Sequence, residues 1–248
     1  MAPTHGLNFD VEKDIPNLEG KVIFITGGTA GLGKACVETL ATHTPAHIYF
    51  TGRNPTSAEE LVEKVRNKSP SVGLTFLQMD MTSLASVKEA CAKFSHDRLD
   101  ILMCNAGIMD KPPGLSKDGY EIHFAINHLA HAMVIQQLLP VLLKTAEVPG
   151  SDVRLVFLTS TGWMFHPKGG FTFSTLQTTQ EAFLAKNSRY GQSKLANAMY
   201  PAELLWAAAG ARRDELVNGA FYMPVGVLSN DKLDKTAKDE KIAAELWK

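Results

Sequence analysis

The feature that most constrains this chain is a β-branched run, residues 21–26 (KVIFIT), that passes straight into a glycine-rich turn and then into apolar positions at helical spacing over 32–40. Strand, glycine turn and helix in immediate succession form the first half of a βαβ unit. The alternation then repeats, with strand 46–51, helix 57–67, strand 74–79, helix 83–94, strand 99–104, a helix around 120–143 and strand 153–159. Strands joined through helices lie parallel, and a parallel sheet needs cover on both faces. The expected fold class is therefore α/β, a doubly wound parallel sheet flanked by helices, as one domain over 1–248.

Composition narrows the partner. With 248 residues and 45% apolar content the chain can bury a sizeable core. Lys plus Arg is 25 against 26 for Asp plus Glu, a net charge of -1. That balance gives no electrostatic reason for a nucleic-acid or anionic-membrane partner, so a small molecule is expected, with a homo-oligomer compatible. Cys36, Cys91 and Cys104 lie far apart without a C-x-x-C, which suggests neither a disulfide framework nor a thiolate zinc site and fits a reducing compartment. The first twenty residues carry acids and prolines in place of a signal-peptide apolar run. The apolar stretch 138–143 is interrupted by Pro140 and falls short of the roughly 20 residues that span a bilayer. A soluble, cytoplasmic protein is expected.

The turn Thr26-Gly-Gly-Thr-Ala-Gly-Leu-Gly33 places Gly27, Gly31 and Gly33, with Leu32 between the last two, between the first strand and its helix. Backbone NH groups at such a helix start can approach a pyrophosphate, because glycine removes the blocking side chain and the helix dipole favours an anion. A tight turn alone is the other reading. After the second strand, where NAD-binding folds usually carry an acid for the ribose, the chain has Thr51-Gly52-Arg53-Asn54. Arg53 can accept a 2'-phosphate, which favours NADPH over NADH; a solvated loop arginine is the alternative. Asp80, followed by Met81, could bond an adenine amino group, and Asn105-Ala106-Gly107 lets backbone approach a cofactor. Either could equally be ordinary turn chemistry.

Tyr190 and Lys194 are four residues apart, hence on one helix face, and an ammonium there favours a phenolate that can exchange a proton with a substrate oxygen. Alone, that spacing suits a surface pair as well. Ser160 closes the fifth strand, where ligands bind in such sheets. Together, TGGTAGLG at 26–33, CNAG at 104–107, Asn127 within INHLAHA, Ser160 within FLTST, and Tyr190 with Lys194 in YGQSK resemble the short-chain dehydrogenase/reductases, in the version common among fungal and retinol-dehydrogenase-like members. The resemblance covers nearly the whole chain. It implies a Rossmann domain holding NADP(H) and a tetrad in which Tyr190 donates the proton, Ser160 polarises the carbonyl, Lys194 binds the nicotinamide ribose and favours the phenolate, and Asn127 holds a relay water. The implied activity is hydride transfer between the nicotinamide and a ketone or aldehyde, or an alcohol in reverse. Cys104 departs from the asparagine usual in that motif.

Family members follow the Tyr–Lys helix with a sixth strand, a Pro-Gly turn and a substrate loop. Here Ala198, Met199, Ala202, Leu205, Trp206 and Ala209 continue at helical spacing to Gly210 despite Pro201. Residues 203–227 resemble the family's late helix and last strand, so a skipped segment is expected near 204–205. One strand, 219–223, is then expected after Tyr190, Pro224 is not given the nicotinamide role, and KIAAELWK resembles the start of a terminal helix. The rival reading is a catalytically impaired nucleotide-binding relative with a binding or regulatory role. His123, His128 and His131 are expected to be packed or solvated, since no Asp, Glu or Cys arrangement completes a metal site. Neither Ser160 nor Ser193 sits in G-x-S-x-G, so acyl transfer is not expected.

Overall fold

The computed structural model describes residues 9–182, 184–209 and 230–247. Five strands, β1 (Val22–Ile25), β2 (His47–Gly52), β3 (Gly73–Gln78), β4 (Ile101–Cys104) and β5 (Arg154–Phe157), form one parallel sheet in the order β3-β2-β1-β4-β5. Between them run α1 (Gly31–Ala41), α2 (Pro55–Lys68), α3 (Leu84–Cys91) and α4 (Ile122–Ala146), and after them α5 (Lys186–Ala209) and α6 (Glu240–Trp247). The order reverses between β1 and β4, and in such sheets the crevice at that switch point receives the ligand.

The central strand β1 is apolar and buried throughout because both of its faces are covered, whereas edge strand β5 alternates exposed and half-buried positions. In β1, Val22 and Phe24 pack with Leu102, Val134 and Leu138 on the α3–α4 side, while Ile23 and Ile25 pack with Val37, Leu61 and Val65 on the α1–α2 side. Local signals start the helices. Asn54 caps α2 by accepting from Thr56 N with Pro55 in the first turn, and Ser83 caps α3 by accepting from Ser86 N. A third apolar cluster joins α5 to the 161–176 segment and to α6, through Leu195, Met199, Trp163, Phe171, Ala237 and Ala243.

Two prolines sit inside helices. Pro140 does not interrupt α4, whose 25 residues are long and apolar enough to cross a bilayer by length and composition. That helix buries Asn127, His128 and His131 against the protein, as a core helix does. Pro201 likewise lies within α5, which runs on to Ala209 as its apolar spacing predicts. Among the described residues the sheet ends at β5. The strand expected at 219–223, and Pro224, lie outside the described residues.

Candidate active site

A cavity of about 540 Å³ opens at the carboxyl ends of the strands. Gly27, Gly31 and Leu32 line it from the first turn, and Arg53 from the end of β2. Asp80 and Met81 follow β3, Asn105, Ala106 and Gly107 follow β4, and Tyr190 and Lys194 complete the wall from α5. Thr26, Gly33, Asn54, Asn127 and Ser160 lie outside this lining.

The glycine turn works through backbone. Gly27 and Gly31 have φ of +70° and +52°, which side chains rarely adopt. At Gly33 a Cβ would stand 2.2 Å from the Gly27 carbonyl oxygen, so that glycine serves close packing. Ala30 precedes α1 with no side-chain cap, and the first turn carries no acid. The NH groups there are left for an anion. Thr26 braces the turn from beneath, its Oγ1 accepting from Asn105 N and Ala106 N at 2.9 Å each, while Asn105 Nδ2 donates to Thr26 O at 2.8 Å.

Arg53 is exposed at the rim, and among the described residues no carboxylate pairs with its guanidinium. The Asn54 side chain is spent on capping α2. Asp80 accepts from Thr82 N and Thr82 Oγ1 and pairs with Lys117 at 2.9 Å. Burial alone would raise its pKa, but these partners hold it below the ordinary carboxylate value. Cys104 packs into the core with its thiol pushed up by burial, which explains why an apolar-tolerant residue suits that position.

Ser160 ends the strand loop and accepts from Gly162 N at 3.1 Å. Gly162 brings Ser160 and Tyr190 together, because a Cβ there would meet the Tyr190 ring at 2.7 Å and Ser160 Oγ at 3.3 Å. Gly191 does the same from the helix, where a Cβ would meet the Phe165 and Gly162 backbones at 2.7 and 2.8 Å. Sequence reasoning missed both glycines; their only signal is their position beside Ser160 and Tyr190. Lys194 donates to the Leu158 carbonyl at 3.0 Å, and its Nζ stands 5.9 Å from the Tyr190 ring centre. Burial pushes the Lys194 pKa down to about 8.

Asn127 is buried in a π-helical turn of α4, residues 125–129. Its side chain accepts from Ile108 N and donates to Ile108 O and Ser193 Oγ, so it fixes the loop after β4 against α5. Its carbonyl accepts from His131 Nδ1 and Asn197 Nδ2, both at 2.9 Å. A relay water on that carbonyl would have to displace one of these donors. Burial lowers the His128 pKa to about 4 and that of His131 to about 3, which makes both neutral core residues. His123 is also buried, with Nδ1 2.9 Å from Glu121 Oε1. Among the described residues no group of three or more His, Cys, Asp or Glu could hold a metal ion.

This arrangement unites a nucleotide-type turn with a Tyr–Lys pair at one crevice, the signature of a dinucleotide-fold oxidoreductase. Residues 21–169 match the family described as short chain dehydrogenase, and the chain belongs to that family. It is 38% identical over 195 residues to the short-chain dehydrogenase/reductase drtF of Aspergillus calidoustus, covering 77% of this chain and 61% of that one. The chain spans half to about three fifths of the length of such curated relatives. Among solved structures, an uncharacterized protein from Mycobacterium paratuberculosis superposes with a TM-score of 0.76 at 23% identity, covering 96% of this chain and 94% of that one. A blue fluorescent protein from a metagenomic library, in complex with NADPH, gives 0.57 at 28% identity, covering 79% and 71%.

Proposed function

We propose that this family oxidoreductase uses NADPH to reduce a ketone or aldehyde, or oxidises the alcohol in reverse, with Tyr190 as the general acid or base. The observation that carries the reading is that Tyr190 and Lys194 share one cavity with the uncapped start of α1 and with Arg53, which pairs with no carboxylate among the described residues. Those residues fit the cofactor. The α1 NH groups would hold its pyrophosphate and Arg53 its 2'-phosphate, and the NADPH complex of the 28%-identical relative supports the choice. When bound, the nicotinamide supplies the hydride.

The chain's own groups manage the oxygen. Because Ser160 Oγ accepts from Gly162 N, its own hydrogen is free to point at a substrate carbonyl. Tyr190, whose ring packs against Gly162, donates its hydroxyl proton to that same oxygen as it becomes an alcohol. The Lys194 ammonium stabilises the phenolate left behind, held in place by the Leu158 carbonyl.

The test follows NADPH fluorescence for binding and NADPH absorbance for turnover over a panel of aldehydes and ketones. Tyr190→Phe is expected to bind NADPH as the wild type does and to lose reduction by about 100-fold or more. Equal turnover by the two proteins sinks the assignment of Tyr190. Binding with no turnover by the wild type favours the nucleotide-binding relative instead.

A further inference from the structure

Behind Lys194 lies a polar cluster that the proposed proton transfer does not use. Asn197 follows Lys194 by about one turn of α5 and is 1% exposed. Its Nδ2 donates to two backbone carbonyls, Asn127 O at 2.9 Å and Leu158 O at 3.2 Å. Its Oδ1 faces His128 Nδ1 at 3.2 Å. The amide can point only one way, because carbonyls accept and never donate, so nitrogen faces them and oxygen takes the imidazole proton. Burial keeps His128 neutral, and the facing Oδ1 places its one ring proton on Nδ1. The Leu158 carbonyl that takes the amide also takes the Lys194 ammonium at 3.0 Å.

We propose that Asn197 is a positioning residue of the reaction centre, tying the π-helical turn of α4 to the end of β5 and setting the place and charge of Lys194 through the shared carbonyl of Leu158. The words "reaction centre" rest on the proposed function; the hydrogen-bonded clamp does not. A carbonyl oxygen shared by two donors gives each less of its negative end. Asn197 therefore competes with the ammonium, and its removal leaves Leu158 O to Lys194 alone. Tyr190 on the same helix and the neutral His131 from α4 act on Lys194 directly, and the neutral His128 is linked to it through Asn197. Cys104, across the β4–β5 pair, is held as a thiol. Among the described residues no carboxylate pairs with Lys194.

The experiment is trace acetylation of the full chain with acetic anhydride between pH 6 and 11, without cofactor, with each lysine's labelling read by mass spectrometry. The exposed Lys68, which pairs with no carboxylate among the described residues, serves as internal standard. Asn197→Leu, which keeps the volume and removes the donors, is expected to raise the Lys194 midpoint by about one unit, a roughly tenfold slower labelling at pH 7. Asn197→Ala is expected to move it the same way and serves if the larger residue prevents folding. A Lys194 midpoint unchanged in a folded variant, with only thermal stability lost, overturns the proposal and makes Asn197 merely structural. Where the wild type turns over a carbonyl, the pH midpoint of turnover should move with the labelling midpoint. A wild type without turnover refutes the proposed function, while the labelling still decides the clamp.

Discussion

Arg53 ends β2 with an exposed guanidinium at the rim of the cavity, and its carbonyl is held by Gln78 Nε2 at 3.2 Å, so the loop that carries it is anchored. A planar fork without a carboxylate partner can meet a 2'-phosphate without first breaking an ion pair. Arg53→Ala is expected to weaken NADPH by roughly 1.5 to 3 kcal/mol and to leave NADH nearly unchanged. Fluorescence titration with both cofactors checks this, and an equal loss for the two would remove Arg53 from the 2'-phosphate. Lys194 makes a second prediction at this scale. With its pKa pushed down to about 8, it is an ammonium below that pH and neutral above it. If the ammonium stabilises the Tyr190 phenolate, carbonyl reduction is expected to fall as pH rises through about 8. A rate profile flat from pH 6.5 to 9.5 under saturating NADPH would show that the charge is not used.

At the scale of elements, α4 carries the buried His128 and His131 at folded pKa values of about 4 and about 3, against 6.5 for the free side chain. The unfolded chain therefore binds more protons than the folded one as pH drops below 6.5. Stability is expected to be fully present above that pH and to decline toward pH 4, with a slope of up to about 1.4 kcal/mol per unit for each histidine. Urea midpoints at pH 7, 6 and 5 measure it, and His131→Phe should flatten the slope. The alternation of strand and helix was legible because both faces of the sheet are covered, which leaves runs such as VIFI apolar throughout. The sequence reading takes Asn54 with Arg53 as part of the cofactor loop and expects the helix from 57, whereas its side chain caps a helix that starts at Pro55. The π-helical turn was not legible, since Asn127 is tied to Ile108, 19 residues upstream, and Ser193, 66 downstream, partners that no local period reveals. The Gly162–Gly191 contact escaped for the same reason, as it exists only when the loop after β5 lies on α5.

For the whole molecule, the cavity and the packing of the last described segment draw on different stretches of chain. Every residue lining the cavity lies between Gly27 and Lys194. The segment 230–247 docks instead on the loop after Ser160, through the pair of His166 Nε2 with Asp234 Oδ2 at 2.9 Å and through Ala237 and Ala243 in the cluster with Trp163. Cofactor binding is thus expected to need only the first of these stretches. NADPH at a hundredfold excess over its dissociation constant should add about 2.7 kcal/mol of stability, and each kcal/mol shifts the melting midpoint of a chain this long by about 2 to 4 °C. Turnover makes a further demand, because a carbonyl must be held within reach of Tyr190 and shielded from water. The family resemblance implies a sixth strand and substrate loop for that task, and the reading of the sequence expects that segment to be skipped near 204–205. The chain is therefore expected to show the NADPH-dependent rise in melting midpoint while reducing carbonyls slowly. Thermal melts with NADPH and NADH, set beside steady-state turnover on the same preparation, test both halves: brisk turnover would overturn the expectation that a required segment is skipped, and no shift with NADPH would place the fault in the nucleotide half instead.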